Sequence, residues 1–320
     1  MRRPVSIATC AAAAGLLAHG GPAFAEIDVY GRLIVTVQNS DEAGESVVEL
    51  QSNASRVGVK GTEELDYGLA AIYQFEWEVD PDGQDGSDNF SARNQFVGLQ
   101  GAFGTVKVGR HDTALKDAAD DFELFNDLEG DIKHTFNGEN RLKNYIGYTT
   151  PTLGDAFSVT VNLFPGEDAT VGNDGIADGT SVSVNYATDL LYVALAQDSD
   201  LDGEGVDTTR LVGAYTLGRA QFSLLYQRTD AGGIDEDGFG GSVAWTFGKN
   251  TAKLQYLNAD VYRIDLQADP LDNLLESQVS LGLDHELGEN TKLFGFYTSG
   301  DIGATNESND YLAIGIDHKF

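Results

Sequence analysis

The sequence predicts an all-β fold: a transmembrane antiparallel β-barrel of sixteen strands. Three observations point there. They are a secretory leader, segments of about ten residues that alternate apolar and polar side chains, and connections that are by turns short and long. The leader comes first. Arg2 and Arg3 open the chain, an apolar run of small residues follows from Ile7 to Ala18, and Ala23-Phe24-Ala25 supplies an A-x-A cleavage site. These are the three parts of a secretory signal peptide, and the run falls short of the ~20 residues that a spanning helix needs. The expected layout is a cleaved segment 1–25 and a single barrel domain over 26–320.

Cys10 is the only cysteine and lies in the leader, too near the start for a lipidated residue. Beyond it the chain can form no disulfide, thiol nucleophile or cysteine-bound zinc site. The formal charge is −31, and the leader takes away two arginines and no acid, which leaves about −33. Such acidity argues against nucleic acid as a partner. No window is apolar enough for a spanning helix, but barrel strands hide their apolar content by alternating.

The alternation is plain in several places. In 69–79 the odd positions are Leu69, Ala71, Tyr73, Phe75, Trp77 and Val79, and the even ones include Gln74, Glu76 and Glu78. Val57 and Val59 alternate with Arg56 and Lys60; Leu312, Ile314 and Ile316 share parity with His318 and Phe320, opposite Asp317 and Lys319. Short turns fall at 62–68, 101–104, 151–155, 187–190, 217–219, 247–250 and 286–290. Longer connections fall near 39–46, 80–90, 111–140, 165–179, 199–206, 230–237, 260–274 and 301–308. Seven and eight connections join sixteen strands, a size that leaves an aqueous channel. A soluble β-sandwich or β-solenoid would also alternate. Against it stand aromatics near segment ends, namely Tyr30, Tyr73, Phe103, Tyr145, Tyr148, Tyr186, Tyr215, Phe247, Tyr297 and Tyr311, which suit interfacial girdles.

Four strings resemble the general Gram-negative outer-membrane porins: Ser55-Arg-Val-Gly-Val-Lys-Gly-Thr-Glu-Glu-Leu65, Gly68-Leu-Ala-Ala-Ile-Tyr-Gln-Phe-Glu-Trp77, Arg93-Asn-Gln-Phe-Val-Gly-Leu-Gln-Gly101 and Phe103-Gly-Thr-Val-Lys-Val-Gly-Arg-His-Asp-Thr113. Asp28-Val-Tyr-Gly-Arg32 and the terminal Phe320 are similar too. The resemblance implies a homotrimer of sixteen-stranded barrels in the outer membrane, in contact with lipid and lipopolysaccharide. It would be assembled through recognition of Phe320 and would pass small hydrophilic solutes and ions without catalysis. It also implies that the third long loop folds into the lumen as a constriction. Here the third long connection, 111–140, is the longest. The chain departs from the family at Asp127-Leu-Glu-Gly-Asp131, which lacks a proline, and at His318, where many members have an aromatic two residues before the end.

Segment 111–140 can present a carboxylate wall through Asp120, Asp121, Asp127, Glu129 and Asp131. Similar porins place a basic cluster opposite that loop at positions matching Arg32, Arg56 and Arg93, and Arg141 begins the strand after it. The parity of Val57 and Val59 turns Arg56 inward, since a charge in lipid costs ~2–4 kcal/mol. With so acidic a chain, modest cation preference is expected. Asp198, Asp200 and Asp202 resemble the first half of a calcium loop, but Thr209 stands where its closing glutamate belongs. No cofactor is required, and a structural Ca²⁺ is the one candidate ion. A sugar- or solute-specific channel is the alternative function. A barrel enzyme ranks below it, because no nucleophile signature surrounds His111, His134, His285 or His318.

Overall fold

A computed structural model describes residues 26–81, 83, 89–167, 174–233, 235–259, 275–302 and 307–320. The leader 1–25 and the connection 260–274 lie outside the described residues. In chain order the strands are β1 (Glu26–Glu42), β2 (Glu45–Ser52), β3 (Arg56–Leu65), β4 (Leu69–Val79), β5 (Phe90–Gly101), β6 (Gly104–Asp112), β7 (Arg141–Thr149), β8 (Phe157–Phe164), β9 (Gly179–Ala187), β10 (Leu191–Ser199), β11 (Val206–Leu217), β12 (Ala220–Ala231), β13 (Asp235–Phe247), β14 (Asn250–Ala259), β15 (Ser277–Glu286), β16 (Thr291–Ile302) and β17 (Glu307–Lys319). One helical turn, α1 (Ala114–Asp117), follows β6.

The pairing is antiparallel throughout, and β17 returns to β1 in register from Arg32↔Lys319 to Glu42↔Asn309, which closes the sheet. The long β1 pairs with β2 along one half and with β3 along the other. Residues 53–55 therefore interrupt a single stave, and seventeen segments make the expected sixteen-stranded barrel. At that break the Ser55 hydroxyl accepts from the Ile34 N–H at 3.0 Å and donates to the Ile34 carbonyl at 3.2 Å, so the ladder loses no partner.

Burial is inverted relative to a water-soluble protein. Leu224, Ile314 and Leu312 are 71%, 65% and 62% exposed, whereas Thr36, Gln38, Gln255 and Thr298 are 1% exposed or less. A sandwich would bury the leucines; a closed barrel in lipid turns them outward and keeps the polar face inside. No helix among the described residues is long and apolar enough to cross a membrane. Seven of the ten expected girdle aromatics fit, but Tyr30, Tyr145 and Tyr311 point to the polar face, where Tyr145 and Tyr311 are buried. Tyr311 stands next to outward Leu312, so strict alternation already places it inside.

All seven short turns lie where the sequence puts them. Of the longer connections, 260–274 lies outside the described residues, and two others are much shorter than expected. Region 39–46 narrows to a two-residue turn at Ala43 and Gly44, with φ of 51° and 88°, and 230–237 narrows to the step between Ala231 and Asp235. Polar pairs such as Asp41↔Ser46 and Asp230↔Asp235 continue the ladders there, because beyond the bilayer a strand can carry charge without a lipid penalty. Replacing outward Leu224 by arginine should lower stability by about 2–4 kcal/mol. Urea unfolding of the chain refolded in phospholipid vesicles measures this, and an unchanged midpoint would place Leu224 away from lipid.

Candidate functional site

The register of β1 and β3 sets Arg32 directly opposite Arg56. Leu33 and Val57 face outward, so both arginines project from the polar face, where like charges in opposed positions repel. Arg93 joins them by a different device. Counting back from outward Val97, strict alternation would send Arg93 into lipid. The β4–β5 register shifts between Phe75 and Trp77, and this bulge turns both Arg93 and Asn94 inward, a re-aiming typical of bulges. Arg93 is then 6% exposed and bonds Glu76 at 2.9 Å and Glu78 at 2.7 Å.

Asp127, from the segment between β6 and β7, occupies the centre of this triad. Its carboxylate is bonded by Arg56 and lies 3.8 Å from Arg32 Nη1 and 3.7 Å from Arg93 Nη2. Asp127 holds a left-handed φ of 66°, and its N–H donates to Asp131 Oδ2 at 3.0 Å. Asp131 also accepts from the Lys133 N–H at 2.9 Å, capping the short 3₁₀ turn Ile132–His134. It is thus the carboxylate that holds Asp127 in place.

Further charges extend the cluster across the barrel seam. Arg32 makes two bonds to Asp317, at 3.0 and 2.9 Å. Lys292 lies 3.6 Å from Asp317 and 2.8 Å from Asp284, and Lys253 lies 3.1 Å from Asp284. A continuous belt of alternating sign therefore runs on the polar face from β14 to β5, with five cations and five carboxylates. It borders a cleft of about 350 Å³ lined by Arg32, Arg56, Lys253, Lys292, Asp120 and Asp127 among others.

The segment over 113–140 packs on the same polar face. Phe122, Phe125, Ile132 and Leu115 are fully buried, and Phe122, Ile132 and Leu115 cluster with Ala194, Val212 and Leu257 of the wall. Wall amides and hydroxyls donate to its carbonyls: Gln221 and Ser223 to Asp121, Ser242 to Phe122, Gln255 to Gly130 and Gln278 to Glu129. Arg210, with no exposure, bonds Glu139 at 2.5 Å and the Asn137 carbonyl at 3.0 Å.

Of the sequence-designated residues, Arg32, Arg56, Arg93 and Asp127 come together, and Asp120 borders the cleft. Asp120 is exposed to the cleft, and the surrounding wall and loop withdraw part of its water. That burial, with the Asp112, Glu139 and Asp121 carboxylates nearby, pushes it up to about 7. Asp131 supports Asp127 through its N–H, and the other three designated residues lie elsewhere. Arg141 pairs with Asp112 at 2.9 Å and with Asn94, Glu129 accepts from Gln38 at 2.8 Å, and Asp121 meets the wall through its carbonyl. Of the expected calcium ligands, two are engaged within the protein. Asp200 accepts from the Gly205 N–H and Asp202 from Asn140, while Asp198 is buried on the polar face. Among the described residues no group of three or more His, Cys, Asp or Glu is placed to hold a metal. His111 stacks on Tyr145 and meets Phe96 at a tilt, and His285 and His318 stand outward beside Asn250 and Thr291. Sequence reasoning missed Lys253, Lys292, Asp284 and Arg210 as site residues. Their parity opposite Leu254, Leu293, Leu283 and Leu211 was the available signal.

Removing the carboxylate in Glu139→Ala should destabilise the fold by about 3–5 kcal/mol, since it leaves Arg210 buried and unpaired. Urea titration reads that loss, and a cost below about 1 kcal/mol would mean that water reaches Arg210.

The comparisons agree with this architecture. The family model described as Gram-negative porin matches residues 8–305. Outer membrane porin protein 32 of Delftia acidovorans is 29% identical, over 88% of this chain and 86% of that protein. The major outer membrane protein P.IB of Neisseria meningitidis serogroup A is 25% identical, over 93% and 95%. Among solved structures, the anion-selective porin from Comamonas acidovorans superposes with a TM-score of 0.76 at 25% identity, covering 93% of this chain and all of that one. Salmonella typhi OmpF, solved with daunomycin, shares the fold with a TM-score of 0.71 at 16% identity, over 92% of this chain and 97% of that one. The chain belongs to the Gram-negative porin family and is a porin of the outer membrane.

Proposed function

We propose that the barrel is a water-filled channel for passive diffusion of small hydrophilic solutes and ions, that the 113–140 segment narrows its lumen, and that it assembles as a homotrimer and catalyses nothing. The observation that carries this reading is the charge belt against the cleft, with cations on the wall and Asp127 brought to them by the segment. Opposed charges across a narrow polar gap set up a transverse field that orders water and favours polar solutes over apolar ones of equal size.

The belt itself is electrically balanced, so charge preference falls to carboxylates outside it. Asp120 at the cleft and a formal charge of about −33 beyond the leader favour modest cation preference. The similar Comamonas protein is described as anion-selective, and anion preference is the competing reading. Planar-bilayer recordings in a KCl gradient decide between them by the sign of the reversal potential. Absence of conductance from the folded protein would remove the channel reading altogether.

Two further outcomes are expected. Asp127→Asn takes one negative charge from three arginines at the gap. It should shift the cation-to-anion permeability ratio toward chloride by about 0.5–1 kcal/mol, a two- to fivefold change; an unchanged ratio would place the field elsewhere. Asp120, raised to about 7, is neutral below that pH and negative above it. Cation preference should therefore rise between pH 6 and 8, and the rise should vanish in Asp120→Asn. A pH-independent ratio would show Asp120 to be outside the ion path.

A further inference from the structure

Three glycines on the polar face have no local reason to be glycine. Gly238 and Gly240 lie within β13 and Gly282 within β15, and none has a left-handed φ. Glycine inside a strand weakens it and marks the close approach of another group. What approaches is a phenylalanine each time. A Cβ added at Gly238 would meet Phe136 Cε1 at 2.4 Å, one at Gly240 would meet Phe122 Cζ at 2.6 Å, and one at Gly282 would meet Phe125 Cε1 at 2.8 Å. All three distances are below any normal carbon–carbon contact of ~3.5–4.0 Å.

The rings have no room to swing aside, because Phe122 and Phe125 are fully buried and Phe136 is 3% exposed. A side chain at any of the three sites would therefore push the loop backbone off the wall. The backbone is tied at the same places, by Ser242 to the Phe122 carbonyl at 2.7 Å and by Lys253 to the Leu124 carbonyl at 3.1 Å.

We propose that Gly238, Gly240 and Gly282 are sockets that set how closely the 113–140 segment sits on the wall, and so set the width of the channel. This rests on the channel reading above. Each absent side chain admits one phenylalanine ring, and the three rings fix the depth of Asp120 and Asp127 at the cleft. A neighbouring glycine is the control. Gly241 faces outward and meets nothing nearer than Leu224 Cδ2, at 3.8 Å.

The test is single-channel conductance of the full chain refolded in planar bilayers. Gly240→Val should lower conductance about twofold or more by moving the segment into the gap. Valine suits a strand better than glycine, so the strand itself is not weakened. Adding Phe122→Ala to Gly240→Val should restore conductance towards the wild-type value, and Gly241→Val should leave it unchanged. Gly240→Val at wild-type conductance overturns the sockets, as does an equal deficit in the double variant. If Gly240→Val fails to fold while the double variant folds, the clash is supported. If neither folds, Gly282→Ala decides: lowered conductance that Phe125→Leu restores supports the sockets, and wild-type conductance overturns them. A folded wild-type chain that conducts nothing overturns the channel reading and the sockets together.

Discussion

A peptide N–H or C=O without a partner costs several kcal/mol in hydrocarbon, and a sheet in lipid can have no edge. At the seam Gly31 and Phe320 exchange two backbone bonds, of 2.9 and 3.1 Å, so the last rung joins the C-terminal residue to β1. Closure dictates the rest. Within the bilayer apolar side chains face outward, so the polar side chains of the strands there face inward and need partners of their own. The 113–140 segment meets that need in reverse. A stretch with little regular structure carries carbonyls that no ladder uses, and the wall glutamines and serines donate to them. Neither surface satisfies its hydrogen bonds without the other.

Charge couples the two surfaces more tightly still. Arg32 and Arg56 are forced together by register, and Arg93 by the bulge. Three guanidinium groups on one face are tolerable only with carboxylates among them. Glu76, Glu78 and Asp317 come from the strands, but Asp127 comes from the segment and is the one acid that touches all three. Its left-handed backbone, held by Asp131, is a local strain that the arginines offset. The features that position the segment and those that would tune permeation are therefore the same residues.

Much of this was legible in the sequence. Parity about Val57 and Val59 placed Arg56 correctly, because nothing interrupts alternation between those residues. The strand count survived too, since turn chemistry marks each hairpin whatever the strands do. What failed had physical causes. Arg93 violates parity through a bulge that no local residue announces, and only family resemblance placed it inside. Asp131 has the composition of a wall acid but serves as a cap, a role that depends on the path of the backbone around it. Arg210 and Lys253 obey parity, but their partners Glu139 and Asp284 are 71 and 31 residues away in sequence. The strands at Asp41 and Asp230 run further than the expected connections allow, because beyond the bilayer a strand carries charge without a lipid penalty.

The central claim is that the 113–140 segment is seated on the inner wall of the channel as the structure has it. Backbone amide exchange offers a direct test, because the Ala114, Leu115 and Leu124 N–H groups donate to Asn162, Ser181 and Gln255 of the wall at 2.7, 3.1 and 2.9 Å. Hydrogen–deuterium exchange of the folded barrel, followed amide by amide, reads the seating. The account predicts that these three amides exchange at least about tenfold more slowly than in an unstructured peptide, and that Gln255→Ala speeds exchange at Leu124. Exchange at the unstructured rate in a folded barrel would contradict it.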